Sequence, residues 1–122
     1  MKLFTMVCNY KKQQKINECM RLLNSGFRTD FGSVRLNTHN SPEHELAKTL
    51  KSYKLLKDGH KILTEVTFKS GGRADILDLC CFRVFEILHS ETKSEALRKE
   101  GYYPNNLDIY YIRSEDILKG DD

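Results

Sequence analysis

Two runs decide the fold: Ile62-Leu63-Thr64-Glu65-Val66-Thr67-Phe68 and, after Lys69-Ser70-Gly71-Gly72, Arg73-Ala74-Asp75-Ile76-Leu77-Asp78-Leu79. In the first, Ile62, Thr64, Val66 and Phe68 alternate with Leu63, Glu65 and Thr67, and β-branched residues dominate, which is the pattern of a strand. Ser70-Gly71-Gly72 is turn chemistry. Arg73 to Leu79 reads as a second strand, apolar at Ala74, Ile76 and Leu77 and acidic at Asp75 and Asp78. Arg83 to His89 reads as a third, in which Val84, Phe85, Ile87 and Leu88 surround a single acid, Glu86. Short turns between three strands predict an antiparallel meander.

Outward from this meander the period changes from 2 to about 3.6. Upstream, Ser41-Pro42-Glu43-His44 carries an N-cap, a proline at the first helical position and a first-turn carboxylate. The helix they open runs to Lys57, with Leu46, Leu50, Tyr53 and Lys57 on one face, Ala47 and Leu56 beside it, and Asp58-Gly59 as its stop. Downstream, Glu91 to Glu100 reads as a charged helix ended by Gly101, Leu107 to Ile112 as a fourth strand, and Ser114 to Leu118 as a last helical turn. A right-handed crossover would set the fourth strand parallel to its neighbour. The order from Pro42 onward is αβββαβ, an α/β class with a mixed four-stranded sheet flanked by helices.

Residues 1–41 form an extension of helix and loop. Ile16, Cys19, Met20 and Leu23 recur at helical spacing within Lys11 to Leu23, behind a polar start that includes Lys11, Lys12 and Lys15. Asn24-Ser25-Gly26 stops this helix. Phe27 to Ser41 reads as loop with a short strand at Ser33 to Leu36.

The 122 residues suit a single domain, 1–122, with a core at 42–118. Hydrophobic residues at 39% and aromatics at 10% are enough for one packed core. No apolar run approaches the ~18 residues of a membrane span, and the first ten residues lack the long apolar region of a secretory signal. Neither a membrane partner nor export is expected, and cytoplasmic residence (a host cell's cytoplasm for a viral protein) is. The net charge of +3 permits a nucleic-acid partner without demanding one. Cys8, Cys19, Cys80 and Cys81 form no C-x-x-C pair, so they read as reduced thiols, with a Cys8–Cys19 bridge left open. His39 reads as a loop residue and His44 as a helix-start residue.

Asp75 and Glu86 are acids among apolar residues on neighbouring strands. An unpaired carboxylate is costly to bury, and two close together force one to hold a proton unless a cation lies between them. Hard divalent cations accept one or two carboxylates together with water and phosphate oxygens. Spacing alone leaves this reading level with a plainer one, in which Arg73 or a surface location relieves each acid.

Gly72-Arg73-Ala74-Asp75-Ile76 followed by Phe85-Glu86-Ile87, behind a helix bearing Glu45, resembles the PD-(D/E)XK nuclease superfamily, which includes restriction endonucleases, Holliday junction resolvases and small viral and phage nucleases. The likeness covers residues ~42–113 and extends to the αβββαβ order. It implies a restriction-endonuclease-like core and Mg²⁺- or Mn²⁺-dependent hydrolysis of DNA phosphodiester bonds, branched or structured DNA among the substrates. Asp75, Glu86 and Glu45, the helix glutamate of the site, would be metal ligands. Arg73, Lys11, Lys12 and Lys15 would touch DNA phosphates, and Ser90 and Glu91 would extend the site or cap the next helix. Cutting two strands calls for two sites and hence a homodimer, with the Ile16–Leu23 face as one surface for it; that face could equally pack on its own sheet.

One position departs from the pattern. The family's lysine, two residues after the third-strand acid, is Leu88 here. A lysine from elsewhere would have to replace it: Lys69 first, because it ends the strand paired with the Asp75 strand, then Lys48, three residues after Glu45 on the helix, then Lys93. Without such a lysine the chain would be a catalytically inactive DNA-binding module, or a protein-interaction domain whose acids are simply paired.

Overall fold

The structure, a computed structural model, describes residues 2–89 and 102–120, with side chains described from Lys11 onward. Its elements are helix α1 (Lys2–Met20), helix α2 (Pro42–Lys57), strands β1 (Ile62–Thr67), β2 (Arg73–Asp78), β3 (Arg83–Leu88) and β4 (Asp108–Arg113), and the short helix α3 (Ser114–Leu118). The sheet order is β1-β2-β3-β4; the first two pairings are antiparallel, and β3–β4 is parallel. The mixed α/β class and the strand order follow the expectation from sequence. The expected helix at 91–100, with Ser90, Glu91 and Lys93, lies outside the described residues.

Two apolar clusters flank the sheet. Ala47 and Leu55 of α2 and Ile117 of α3 pack on Ile62, Ile76, Phe85 and Ile87. On the other face Ile16, Cys19, Met20 and Leu23 pack with Leu63, Val66, Phe68, Leu77 and Val84. The α1 face offered from sequence as a dimer surface is therefore covered by its own sheet. Cys19 is a free, buried thiol whose pKa burial pushes up to about 11; the Cys8 side chain of the bridge left open from sequence lies outside the described ones.

Three features differ from the sequence reading. α1 begins at Lys2 and ends at Met20; Leu23 lies beyond it, in a bridge to Phe68, because its apolar side chain is wanted by the sheet. Ser33 to Leu36 forms no strand. The backbone N–H of Arg35 in this segment donates to Thr64 Oγ1 rather than to a strand backbone. On α2, Leu46 and Tyr53 are exposed, while His44, Ala47, Lys48, Ser52 and Leu55 are buried. The inward face is thus rotated from the Leu46–Leu50–Tyr53 stripe, since the polar pair His44 and Lys48 finds partners inside. The start of α2 matches its signal: Ser41 Oγ accepts from the N–H of His44, with Pro42 at the first helical position.

The central irregularity is a missing rung. β1 and β2 pair at Thr64–Ile76 and Val66–Ala74, but the intervening Glu65–Asp75 pair is absent, and Glu65 has φ +50°. Such a conformation costs a non-glycine residue roughly 1–2 kcal/mol. It also breaks the alternation of both strands. Ile62 faces the α2 side, yet Val66 and Phe68 face the α1 side; Ile76 faces α2, yet Ala74 faces α1. The β2–β3 ladder stops at the same level, after Ile76–Phe85 and before Asp75 could meet Glu86.

Buried Arg28 supports this break. Its Nη1 donates to the carbonyls of Thr64 (2.8 Å) and Glu65 (3.2 Å), flanking the missing rung. Its Nε and Nη2 bind the carboxylate of Asp30, and the Arg28 hydrogen bond outweighs burial in holding that carboxyl down at about 2. Removing Arg28 strips donors from two strand carbonyls and takes the two-point partner from the Asp30 carboxylate, leaving Arg35 and a backbone N–H. Arg28→Ala should lower the unfolding free energy by about 2–3 kcal/mol. Urea unfolding checks this; a change under about 0.5 kcal/mol, the range of ordinary surface substitutions, would show that the break stands without it.

Candidate functional site

Where the rung is missing, three strands turn acids to one cleft: Glu65 from β1, Asp75 from β2 and Glu86 from β3. The cleft has a volume of about 270 Å³ and is also lined by Asn37, Asn40, His44, Gly71, Gly72, Arg73 and Tyr102. Side-chain carboxylates take over bonds that the ladder gives up. Asp75 Oδ2 accepts from the N–H of Ile87 at 2.8 Å, and Glu86 Oε1 accepts a long bond of 3.4 Å from the N–H of Asp75. The two acids thus hold β2 to β3 across the gap that they line.

The first turns of α2 supply the counter-charges. His44 reaches Glu45 Oε2 through Nδ1 (2.8 Å) and Asp75 Oδ2 through Nε2 (3.3 Å). Burial alone would lower the imidazole pKa; the hydrogen bonds and charges of Asp75, then of Glu45, outweigh it and raise the group from 6.5 to about 9. His44 is therefore an imidazolium at neutral pH, held between two carboxylates. Glu45 has both oxygens occupied: Oε1 accepts from the N–H of Asn37 and from Lys48 Nζ, and Oε2 from Asn40 Nδ2 and His44. These donors, Lys48 first, overcome burial and hold its carboxyl at about 2.

Lys48 is fully buried, with Nζ 2.7 Å from Glu45 Oε1 and 3.7 Å from Glu65 Oε2. Glu65 is further neutralised by Arg73, whose Nη2 lies 3.0 Å from its Oε1 and whose side chain is otherwise well exposed at the cleft rim. Beneath Glu86 stands Tyr103. Its hydroxyl lies 2.6 Å from both Glu86 Oε1 and the carbonyl of Arg73, and burial together with the Glu86 charge raises its pKa, so it stays a protonated donor. Gly72 makes room for this segment. A Cβ there would stand 2.6 Å from the Tyr102 carbonyl oxygen and 2.7 Å from Tyr103 Cδ1.

Of the residues singled out from sequence, Asp75, Glu86 and Arg73 line the cleft, and Glu45 and Lys48 lie against it through His44 and Glu65. Lys69, the first choice for a replacement lysine, is exposed at the far end of β1, where its backbone N–H binds the Leu22 carbonyl, and it is not part of the cleft lining. Lys11, Lys12 and Lys15 are exposed on α1, away from the cleft lining, with Lys15 over the Phe82 ring. Leu88 is buried and lines a separate small cavity with His89, Arg113 and Leu118. Sequence reasoning missed three participants. Glu65 was legible, as an acid opposite Asp75 in the hairpin register. His44 was read as a helix-start residue because its two carboxylate partners come from different elements. Tyr103 follows a segment with no strand pattern and gave no signal.

Among the described residues, Asp75, Glu86 and Glu65 do not bring three donor atoms within 4.8 Å of one another. What the cleft offers is a two-carboxylate arrangement. Both Asp75 and Glu86 line the cleft, and of the two Asp75 oxygens the bonds above fall on Oδ2. Against models of known protein families, curated proteins and solved structures, the chain finds no match.

The His44 bridge makes stability depend on pH. Its folded pKa lies above its unfolded one, so its contribution is complete below about 6.5 and is lost as pH rises through about 9. Melting temperatures of the parent and of His44→Gln, measured from pH 6 to 9.5, should converge as pH rises. Parallel curves across that range would show that the imidazole carries no charge in the fold.

Proposed function

We propose that the cleft hydrolyses phosphodiester bonds of nucleic acid, DNA in the first instance, with a divalent cation held by Asp75 and Glu86. This is the reading implied by the resemblance to the PD-(D/E)XK nucleases, with its restriction-endonuclease-like core. The observation that carries it is the parting of the sheet at Asp75 and Glu86, where both residues line one cleft instead of closing the ladder.

The donor chemistry fits a magnesium or manganese ion. Oxygen ligands from one or two carboxylates are what such ions commonly take from protein, with the remaining positions left to water and substrate. When bound, the ion would supply charge at a phosphoryl oxygen and a more acidic water. The protein's part is positional and electrostatic. Asp75 is fixed by the Ile87 N–H and by His44, and Glu86 by Tyr103, so neither carboxylate needs to reorganise as substrate arrives. Arg73 stands exposed at the rim and presents a guanidinium suited to phosphate oxygens. Glu45 serves as an organising anion rather than a ligand, since four donors fill its oxygens. Lys48 takes the place of the lysine absent at position 88 as a charge-balancing group acting through Glu65 and Glu45.

A second reading, a DNA-binding module without catalysis, draws on Leu88 and on the pairing of Lys48 with two glutamates. One experiment separates them. Supercoiled and four-way-junction DNA are incubated with the protein and Mg²⁺ or Mn²⁺, beside Asp75→Asn and Glu86→Gln. Active parent protein, with turnover at least 100-fold lower in each variant and DNA affinity changed less than about threefold, is the expected result. DNA retention with no cleavage under either metal would select the binding module. Absence of both would overturn the nucleic-acid reading altogether.

A further inference from the structure

At the other end of β2 lies a second cluster of metal-ligating side chains, formed by His60, Asp78 and Cys80. One donor atom from each lies within 4.8 Å of the others. The residues come from two connections brought together by the β1–β2 pairing. His60 stands just before β1, and Cys80 follows Asp78 into the β2–β3 turn. From these observations we infer that His60, Asp78 and Cys80 form a binding site for a zinc-class transition-metal ion.

The donor set selects the metal. A thiolate, an imidazole and a carboxylate match a borderline-soft ion of tetrahedral habit, and a thiolate is a poor ligand for Mg²⁺ or Ca²⁺. Metal–donor distances of about 2.0–2.3 Å in a tetrahedron place the donors roughly 3.3–3.6 Å apart. Here His60 Nδ1 and Asp78 Oδ2 are 2.9 Å apart, a hydrogen bond that needs to open by only a few tenths of an ångström. On binding, metal–nitrogen, metal–oxygen and metal–sulfur bonds form, the Nδ1 proton moves to Nε2 by exchange with solvent, and the thiol proton leaves to water. The fourth position falls to water.

The surroundings are already arranged for this. Asp78 is fully buried, and its Oδ1 accepts from the backbone N–H groups of Cys80 (2.9 Å) and Cys81 (3.4 Å), which fixes the carboxylate with Oδ2 toward His60. The N–H of Lys61 points at Cys80 Sγ from 3.3 Å. Cys80 also lines an open cleft with Lys12, Gln13 and Gly59, so an ion can enter from solvent. Arg83 Nε shares Asp78 Oδ2 at 2.9 Å. A carboxylate oxygen has two lone pairs and can serve both partners, but the guanidinium charge weakens the site for a cation. Arg83 thus sets the affinity below that of an unopposed site, and it provides a test of sign.

The experiment uses the full chain, reduced and freed of metal with a chelator, titrated with Co²⁺ and then Zn²⁺. The expected result is one equivalent of Co²⁺ per chain with a near-ultraviolet sulfur-to-cobalt band, displaced by Zn²⁺. The band should vanish in Cys80→Ser and persist in Cys81→Ser. Affinity should fall at least tenfold in His60→Gln, a partly exposed position outside both apolar clusters, and should rise severalfold in Arg83→Gln. No sulfur band in the parent, or a band that survives Cys80→Ser, would overturn the site. The Asp75–Glu86 cleft contains no thiol, so an ion bound there gives no such band, and the two readings fail separately.

Discussion

The structure depends on one missing pair of backbone hydrogen-bonding partners. Glu65 and Asp75 stand opposite each other in the β1–β2 register, yet they make no rung, and both strands change face at that level. Buried backbone groups cannot be left without partners at little cost. Three charged residues around the break answer that demand. Arg28 takes the Thr64 and Glu65 carbonyls, Asp75 takes the Ile87 N–H, and Glu86 takes the Asp75 N–H. The acids are structural parts of the sheet because the sheet is open where they stand.

Opening the sheet gathers charge. Glu45, Glu65, Asp75 and Glu86 face His44, Lys48 and Arg73, four acidic positions against three basic ones. Interior charges of this kind are tolerated only when paired and hydrogen-bonded, and removing one partner is expensive. The pairing is hierarchical. Glu45 is saturated and behaves as a fixed anion, Lys48 and His44 are held by it, and Asp75, which lines the cleft, is held through Oδ2 by His44 and the Ile87 N–H. A site organised from behind in this way keeps its geometry before any ligand arrives.

Much of this was legible in the sequence. The alternation of Ile62 to Phe68, the Gly71-Gly72 turn and the Ser41-Pro42 helix start determined the meander and its leading helix, because each is a local signal with a local cause. Asp75 and Glu86 stood out as acids in apolar strands. The inward face of α2 did not, because hydrophobicity marks Leu46, Leu50 and Tyr53, whereas the cleft draws in His44 and Lys48 through partners from β1 and β2. Lys69 looked closer than Lys48 because a regular strand was assumed, and the positive φ at Glu65 alters which side chains share a face. Non-local ion pairing and an irregular backbone rung leave no periodic trace, and those are the features that build this site.

The proposed chemistry requires that the parted strands hold Asp75 and Glu86 ready for one divalent cation. The most direct measurement is anomalous scattering from a crystal soaked in Mn²⁺. The expected result is an anomalous peak in the cleft within coordination distance of the Asp75 and Glu86 carboxylates, with the Glu65–Asp75 rung still absent. A closed ladder at that level, or a soaked crystal with no manganese between the two carboxylates, would contradict it.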